Sequence, residues 1–317
     1  MQAINPNAGY NYFTYGSLVG ANQSTNTNYL YYPRGMAVDG SGNIYVVDSG
    51  NDRIIRMSSI GVSPSTWVAF PNSNTPSADY FYAPEGIAVD STGANIWVAD
   101  SGNGRIVHLK TADWQSTSPT FDTYSSVTVS STAYNFSYPT GLAFDSSHNM
   151  LYLSDPGSQF PANTPNVFAV DVSSGFSGKY AVSGSGSGAD QFSYPRGIAV
   201  DPTKGYVYVA DETNYRIDRL NLDLTGWTTL GTRGSGTGQF ISPQTVAVDS
   251  TGHIYVVDSA NYWIVKMNDM SGAGWTLYGA QTGSASTSVY PNWVAVKSSG
   301  SSIYVSDDTM NQIAEFQ

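Results

Sequence analysis

The sequence predicts an all-β fold, a ring of six four-stranded antiparallel blades, and three observations predict it. A unit opening on proline recurs at Pro33, Pro84, Pro139, Pro195, Pro243 and Pro291, at intervals of 48 to 56 residues. Each unit holds short runs rich in Val, Ile and Tyr, bounded by turn residues such as GSGN, STG and SSGSS, with no helix-period segment long enough to compete. The first two runs are apolar at nearly every position, which calls for cover on both faces. Together these describe a six-bladed β-propeller; a stacked solenoid would need shorter, more regular repeats.

The first run reads YPRGMAVD, APEGIAVD, YPTGLAFD, YPRGIAVD, SPQTVAVD and YPNWVAVK in the six units. Gly35, Gly86, Gly141 and Gly197 follow where the chain enters this innermost strand, and suit a close backbone approach near the axis. Thr245 and Trp293 hold that place in units five and six, which must enter differently. The second run is NIYVVDSGN, NIWVADSGN, MLYLSDPGS, YVYVADETN, HIYVVDSAN and SIYVSDDTM. The third, RIIRM, RIVHL, NVFAV, RIDRL, WIVKM and QIAEF, alternates more, as in Arg53-Ile54-Ile55-Arg56, and is expected nearer the outside. A polar fourth run is seen in STWVAF, KYAVSG, GWTTLG and GWTLYG. The last unit ends after its third run, and NYFTYGSLVG at residues 11–20 looks like the missing fourth. That segment is expected to pair with the last blade, close the ring and make residues 1–317 one domain without an exposed sheet edge.

Two stretches carry a family resemblance. QFSYPRGIAVD with YVYVADETNYRIDRL, and YPRGMAVDGSGNIYVVDSGNDRIIRM, resemble the NHL repeat, as do the Gly-rich lead-ins GSGSGADQFSYP and GTRGSGTGQFISP. The resemblance extends over all six units. It implies the propeller fold and leaves function open, because NHL-like propellers include binding modules, RNA binders, lyases and secreted proteins of unknown role. The glycines of GSGSGADQF precede no helix and so are read as a flexible loop between blades, not a phosphate cradle.

Composition excludes several functions. The formal net charge is -11 with 13 basic residues and no basic run, which disfavours nucleic acid and anionic membrane surfaces as partners. No stretch reaches the roughly 18 apolar residues of a membrane span. The absence of cysteine removes disulfides and thiolate chemistry. Few charges and many Ser, Thr, Asn and Tyr resemble exported surface proteins, so an extracellular or cell-surface location is expected. Asn22 and Asn135 head Asn-x-Ser sequons.

Residues used in every unit read as architecture. Asp48, Asp100, Asp155, Asp211, Asp258 and Asp307 end the second runs, with Asn and Arg following in three units, and are expected to hold the loop to the third strand. Asp39, Asp90, Asp145, Asp201 and Asp249 get the same reading, with Lys297 in the sixth unit. Function is sought where the copies differ. The residue after each proline, Arg34, Glu85, Thr140, Arg196, Gln244 and Asn292, falls near the mouth of the central channel and is polar throughout. The two Arg with Glu85 could hold a small anion, or the six could satisfy one another around water.

The resemblance also brings enzymes into view. Lactonase and phosphotriesterase relatives hold an axial divalent metal on Glu, Asn and Asp, which would implicate Glu85, Gln244 and Asn292. Arg34 and Arg196 would then stand beside a cation. The amidating lyases use histidines on zinc, but His108, His148 and His253 fall on separate blades and should not converge. No cofactor is expected. Long segments at residues 113–136 and 154–170 break the symmetry of blades two and three, and the aromatics Trp114, Phe121, Tyr124, Phe160 and Tyr262 either offer contacts to a glycan or peptide or pack locally. The sequence thus favours a non-catalytic module that binds a protein or glycan surface or assembles with itself, with an enzyme at the channel mouth as the rival.

Overall fold

The computed structural model describes residues 12–15, 30–60, 67–71, 81–114, 120–157, 165–173, 175–188, 190–279 and 289–316. Six four-stranded antiparallel sheets form the ring, each running from an inner strand outward. Blade one is Pro33–Val38, Ile44–Asp48, Arg53–Met57 and Val68–Phe70. Blade two is Ile87–Val89, Asn95–Asp100, Arg105–Lys110 and Phe121–Tyr124. Blade three is Leu142–Asp145, Met150–Ser154, Pro165–Asp171 and Ser177–Ser183. Blade four is Pro195–Asp201, Tyr206–Asp211, Arg216–Asn221 and Thr228–Leu230, and blade five Pro243–Val248, Ile254–Asp258, Trp263–Met267 and Thr276–Tyr278. Blade six takes Pro291–Val296, Ile303–Asp307 and Gln312–Phe316 from the C-terminal end and Tyr12–Tyr15 from the N-terminal end. Tyr12 lies opposite Phe316 and Tyr15 opposite Ile313. Residues 11 and 16–20 of the expected closing strand, and Asn22, lie outside the described residues.

The apolar second strands are explained by where the core sits. Among the described residues there are six hydrophobic clusters, each between two neighbouring blades. Successive side chains of one strand point to opposite faces. Tyr45 and Val47 therefore enter the cluster shared with blade two, while Ile44 and Val46 enter the one shared with blade six. Each fully buried aliphatic side chain stabilises the ring by roughly 1.5–3 kcal/mol. A polar residue on either face would open a seam, so period-two alternation is lost.

Arg53 stands where the expected charge pairing of the loop puts it, 9% exposed with its Nε 2.7 Å from Asp48. The outer strand covers the third strand, so Ile54 and Ile55 are both fully buried in opposite seams. Hydrogen bonds tie the Gly-rich lead-ins, one of them the GSGSGADQF segment expected as a flexible loop, to their blades. Gly186 N–H donates to Phe192 C=O and Gly234 N–H to Phe240 C=O, and both phenyl rings are fully buried. Asn214 and Asn261 side chains donate to the carbonyls of Gly186 and Gly234, pinning each loop to its blade.

The inner strands meet at backbone distance. Gly35 N–H donates to Glu85 C=O of the next blade at 2.8 Å. A Cβ on Gly35, Gly86 or Gly141 would overlap the backbone carbonyl of Glu85, Thr140 or Arg196, so the recurrent glycine marks blade-to-blade contact. The blades without it do enter differently: the Thr245 hydroxyl accepts the Val294 N–H, and Trp293 is buried in the seam between blades six and one.

Candidate binding site at the channel mouth

Because every inner strand runs the same way, the lead-in before it and the loop between second and third strands lie on one face, that of the mouth. The recurrent aspartates join these two segments. All six are fully buried. Asp48 accepts from Tyr31 N–H, Asn51 Nδ2 and Arg53 Nε at 2.6, 2.8 and 2.7 Å. Asp100 repeats this with Tyr82 N–H, Asn103 and Arg105. Asp211 takes Ser193 and Tyr194 N–H, Asn214 and Arg216. Asp258 takes Ile241 and Ser242 N–H and Asn261. Asp155 accepts backbone N–H groups of Ser137, Tyr138 and Gly157, and Asp307 those of Tyr290, Thr309 and Met310 plus Gln312 Nε2. Each carboxylate thus sutures the entry of its blade to the second strand. Burial raises the pKa of Asp48, Asp155, Asp211, Asp258 and Asp307 against these hydrogen bonds. The other set works in the hairpins on the far face, where Asp39 accepts Ser41 and Asn43 N–H and Asp249 accepts Thr251 and His253 N–H.

Four NHL repeats match the family model, over residues 30–56, 81–109, 192–218 and 240–267. The chain is an NHL-repeat propeller. The matches fall on blades one, two, four and five, which carry Asp with a hydrogen-bonded Asn. Blades three and six replace that pattern with backbone donors and Gln312. No curated protein sequence matches the chain. Solved structures share the fold at low identity. One is a chain of the crystal structure of a nidogen/laminin complex, 20% identical with TM-score 0.56, covering 78% of this chain and 83% of that one. Another is virginiamycin B lyase from Staphylococcus aureus, 14% identical with TM-score 0.57, covering 89% and 79%. A third is a gluconolactonase from Xanthomonas campestris, 11% identical with TM-score 0.60, covering 91% and 86%.

At the mouth of this NHL propeller the post-proline residues do not form one ring. Glu85, only 5% exposed, lies between two guanidinium groups, 3.2 Å from Arg34 Nη1 and 3.2 Å from Arg196 Nη2, and accepts the Tyr138 hydroxyl at 3.0 Å. Arg34 also leans on Asp308 at 3.8 Å and Arg196 on Glu212 at 3.6 Å. Burial works to lower the Arg196 pKa, but Glu85, Glu212 and Tyr194 outweigh it and raise it. Burial and the Glu85 charge push the Tyr138 hydroxyl up to about 12. Thr140 is 1% exposed, its hydroxyl on Ser154 Oγ and the Arg196 carbonyl, so it props the wall. Asn292 Nδ2 donates to Asp308 at 3.1 Å, and the Gln244 Oε1 is buried. A cleft of about 730 Å³ opens between Glu85, Tyr138, Tyr194, Arg196 and Glu212.

Glu212 and Asp308 were missed in the sequence. Both follow the recurrent Asp directly, where the other blades have Ser49, Ser101, Pro156 and Ser259. The search for broken symmetry, applied to that column, finds them.

The remaining candidates are dispersed. His148 Nδ1 lies 2.6 Å from Asp145 and His253 Nδ1 3.0 Å from Asp249, each in its own hairpin. His108 stacks on Trp97 with ring centres 5.0 Å apart. Among the described residues no group of three or more His, Asp or Glu could hold a metal. In the long segment of blade two, Ser126–Val129 and Thr132–Asn135 form an extra hairpin, on which Asn135 is exposed. Trp114 is not a surface contact: it is 2% exposed, in the seam between blades one and two. Tyr124 stacks on Phe176 at 4.0 Å, and Phe121 is half-buried. Phe160 lies outside the described residues.

Asp218, fully buried on the third strand of blade four with Arg216 Nε at 2.9 Å, is pushed by burial up to about 7, with Arg216 opposing and Asp211 adding to the rise. An unfolded aspartate titrates near 3.9. Between those values the folded chain holds a proton that the unfolded chain lacks, so this contribution to stability is lost as pH rises from about 4 to about 7. Asp249, held at about 2 chiefly by Thr251 and His253 hydrogen bonds against burial, works oppositely and loses its contribution only below about 4. Urea unfolding is expected to show higher stability at pH 5 than at pH 8, on the order of 2–4 kcal/mol. Asp218→Asn should reduce that difference; an unchanged slope would refute the assignment.

Proposed function

We propose that this NHL propeller is a non-catalytic, extracellular binding module whose mouth face takes a protein or glycan surface, further copies of itself included. The observation that carries the reading is the placement of its exposed aromatics. Among the described residues five large apolar side chains are exposed, Tyr32, Tyr82, Tyr180, Tyr262 and Tyr290. All but Tyr180 lie in lead-ins or second-to-third-strand loops, on the rim of the mouth. Tyrosine offers large, rigid contact area with a polar tip, the kind of residue enriched at interfaces.

The enzymatic reading fits the same face less well. Glu85, the acid it requires, is paired with two guanidinium groups and accepts a phenol hydroxyl, which leaves it poorly placed to receive a cation. Fresh protein should be sized by light scattering and negative-stain microscopy and screened on glycan and peptide arrays. The expected result is self-association or an array signal that a Tyr82→Ser, Tyr262→Ser, Tyr290→Ser triple variant loses. A monomer silent on the arrays, or ester or lactone hydrolysis lost in Glu85→Ala, would overturn the reading.

A further inference from the structure

On the face opposite the mouth, the first hairpins of blades two and three frame a second cavity, of about 400 Å³. That volume falls within the roughly 300–1,000 Å³ of small-ligand sites. Three departures from the repeat meet in it. Opposite the alanine of the first strand, every other blade sets a Tyr on the second strand; blade two sets Trp97. Before the Asp or Lys that ends the first run, every other blade has Val; blade three has Phe144. Beside Trp97 on the third strand stands His108, where blades one, four and five carry Arg or Lys. The three rings stack, His108 on Trp97 with centres 5.0 Å apart and Trp97 on Phe144 at 4.1 Å. Tyr124, stacked on Phe176, lines the same space.

The exchange of Tyr for Trp leaves polar groups unpaired there. In blades one and five the Tyr hydroxyl donates to the hairpin Asp, Tyr45 to Asp39 at 3.1 Å and Tyr255 to Asp249 at 3.0 Å. Asp90 is satisfied without such a donor, by Thr92, Ala94 and Asn95. Asn95 in turn fixes His108: its Nδ2 donates to Asp90, so its Oδ1 accepts the His108 Nε2–H at 3.1 Å. Trp97 is only 4% exposed, and its indole N–H has no acceptor among the described residues. Ser91 Oγ and the Asn149 amide, both at the exposed rim of the cavity, have no partner among them either.

We propose that this cavity binds one neutral hexopyranose ring. A pyranose can set its C–H face against aromatic rings, here the half-buried Phe144 and Tyr124. Its hydroxyls both donate and accept. They match an indole N–H that only donates, an amide that does both and a serine hydroxyl. No Lys or Arg lines the cavity and Asp90 does, which disfavours an anion. A wholly aromatic ligand would leave the Trp97 N–H, Ser91 and Asn149 without partners. The site lies on the other face of the ring from the mouth and does not rest on the binding reading above.

The test is ligand-observed and ¹⁵N NMR titration of the full chain with the methyl pyranosides of glucose, galactose, mannose and N-acetylglucosamine. Expected is saturable binding of at least one of them at about millimolar concentration. One of the seven Trp indole N–H resonances, the one missing from Trp97→Tyr, should shift on saturation. Affinity should fall at least about tenfold in Trp97→Tyr, which restores the residue of the other blades. It should fall as far in Asn149→Gly, where glycine accepts the φ of +52° and only the amide is lost. That variant keeps the test decisive if Trp97→Tyr does not fold, which circular dichroism will show. Ser299→Ala, in the first hairpin of blade six, should bind as the parent does. Binding of none of the four sugars, binding that moves no indole resonance, or preference for indole or p-cresol over every sugar would each overturn the proposal. Sugar binding abolished by the Tyr82→Ser, Tyr262→Ser, Tyr290→Ser triple variant would move the sugar to the mouth, sinking this inference and leaving the broader reading standing.

Discussion

Replacing Asp48 with alanine is expected to destabilise the propeller by about 3–5 kcal/mol, measured as a fall in the urea midpoint at unchanged slope. The carboxylate is fully buried and receives three donors, one of them the Arg53 guanidinium at 2.7 Å. Removing it leaves that guanidinium, only 9% exposed, without its counter-charge. Asparagine should be nearly as harmful, because its amide N–H groups would face the Asn51 and Arg53 donors. The contrast is Asp155, whose partners are all backbone N–H groups of Ser137, Tyr138 and Gly157. Asp155→Asn keeps one accepting oxygen for two of them and should cost only about 1 kcal/mol. Equal effects at the two sites would refute the claim that the Arg pair distinguishes the blades.

Gly86→Ala is expected to cost about 3 kcal/mol or more. Its Cβ would overlap the Thr140 carbonyl, a backbone group that no rotamer change can move. Thr140 is itself held, its N–H on the Ser154 carbonyl at 2.9 Å. The comparison is Gly205→Ala, where nothing lies within 4 Å and only a φ of +75° opposes a side chain; roughly 1–2 kcal/mol is expected there. If the two alanines cost the same, backbone conformation and not blade contact accounts for the recurrent glycine. The Gly86 variant should also loosen the adjoining Glu85, whose carbonyl holds Gly35 and whose carboxylate holds Arg34 and Arg196.

The ring was legible because its physics repeats. Six prolines in register, second strands such as IYVVD apolar at every position but the last, and an N-terminal YFTY able to stand in for a missing strand all express local requirements of one blade. The mouth was legible only where symmetry breaks in a column already under scrutiny, which gave Arg34, Glu85 and Arg196 but passed over Glu212 and Asp308. Pairings between blades, such as Arg196 with Glu85 over a separation of 111 residues, follow from ring closure and leave no periodic trace. The choice between surface contact and local packing stayed open for a related reason. Trp114 sits in a polar, Ser-rich stretch, yet the neighbouring seam has room for it, and Arg56 lies over its ring at 5.8 Å.

The pairing of Tyr12–Tyr15 with Gln312–Phe316 sets the order of events during synthesis. The strand made first must wait for the strand made last. At roughly 5–20 residues per second the ribosome needs about 15–60 s to deliver the partner. For that interval five blades can zip up behind the exit tunnel while the sixth stays open, its leading segment idle. Completion is therefore an all-or-nothing step, and a message truncated before the codons for Gln312–Phe316 would release a ring that cannot latch.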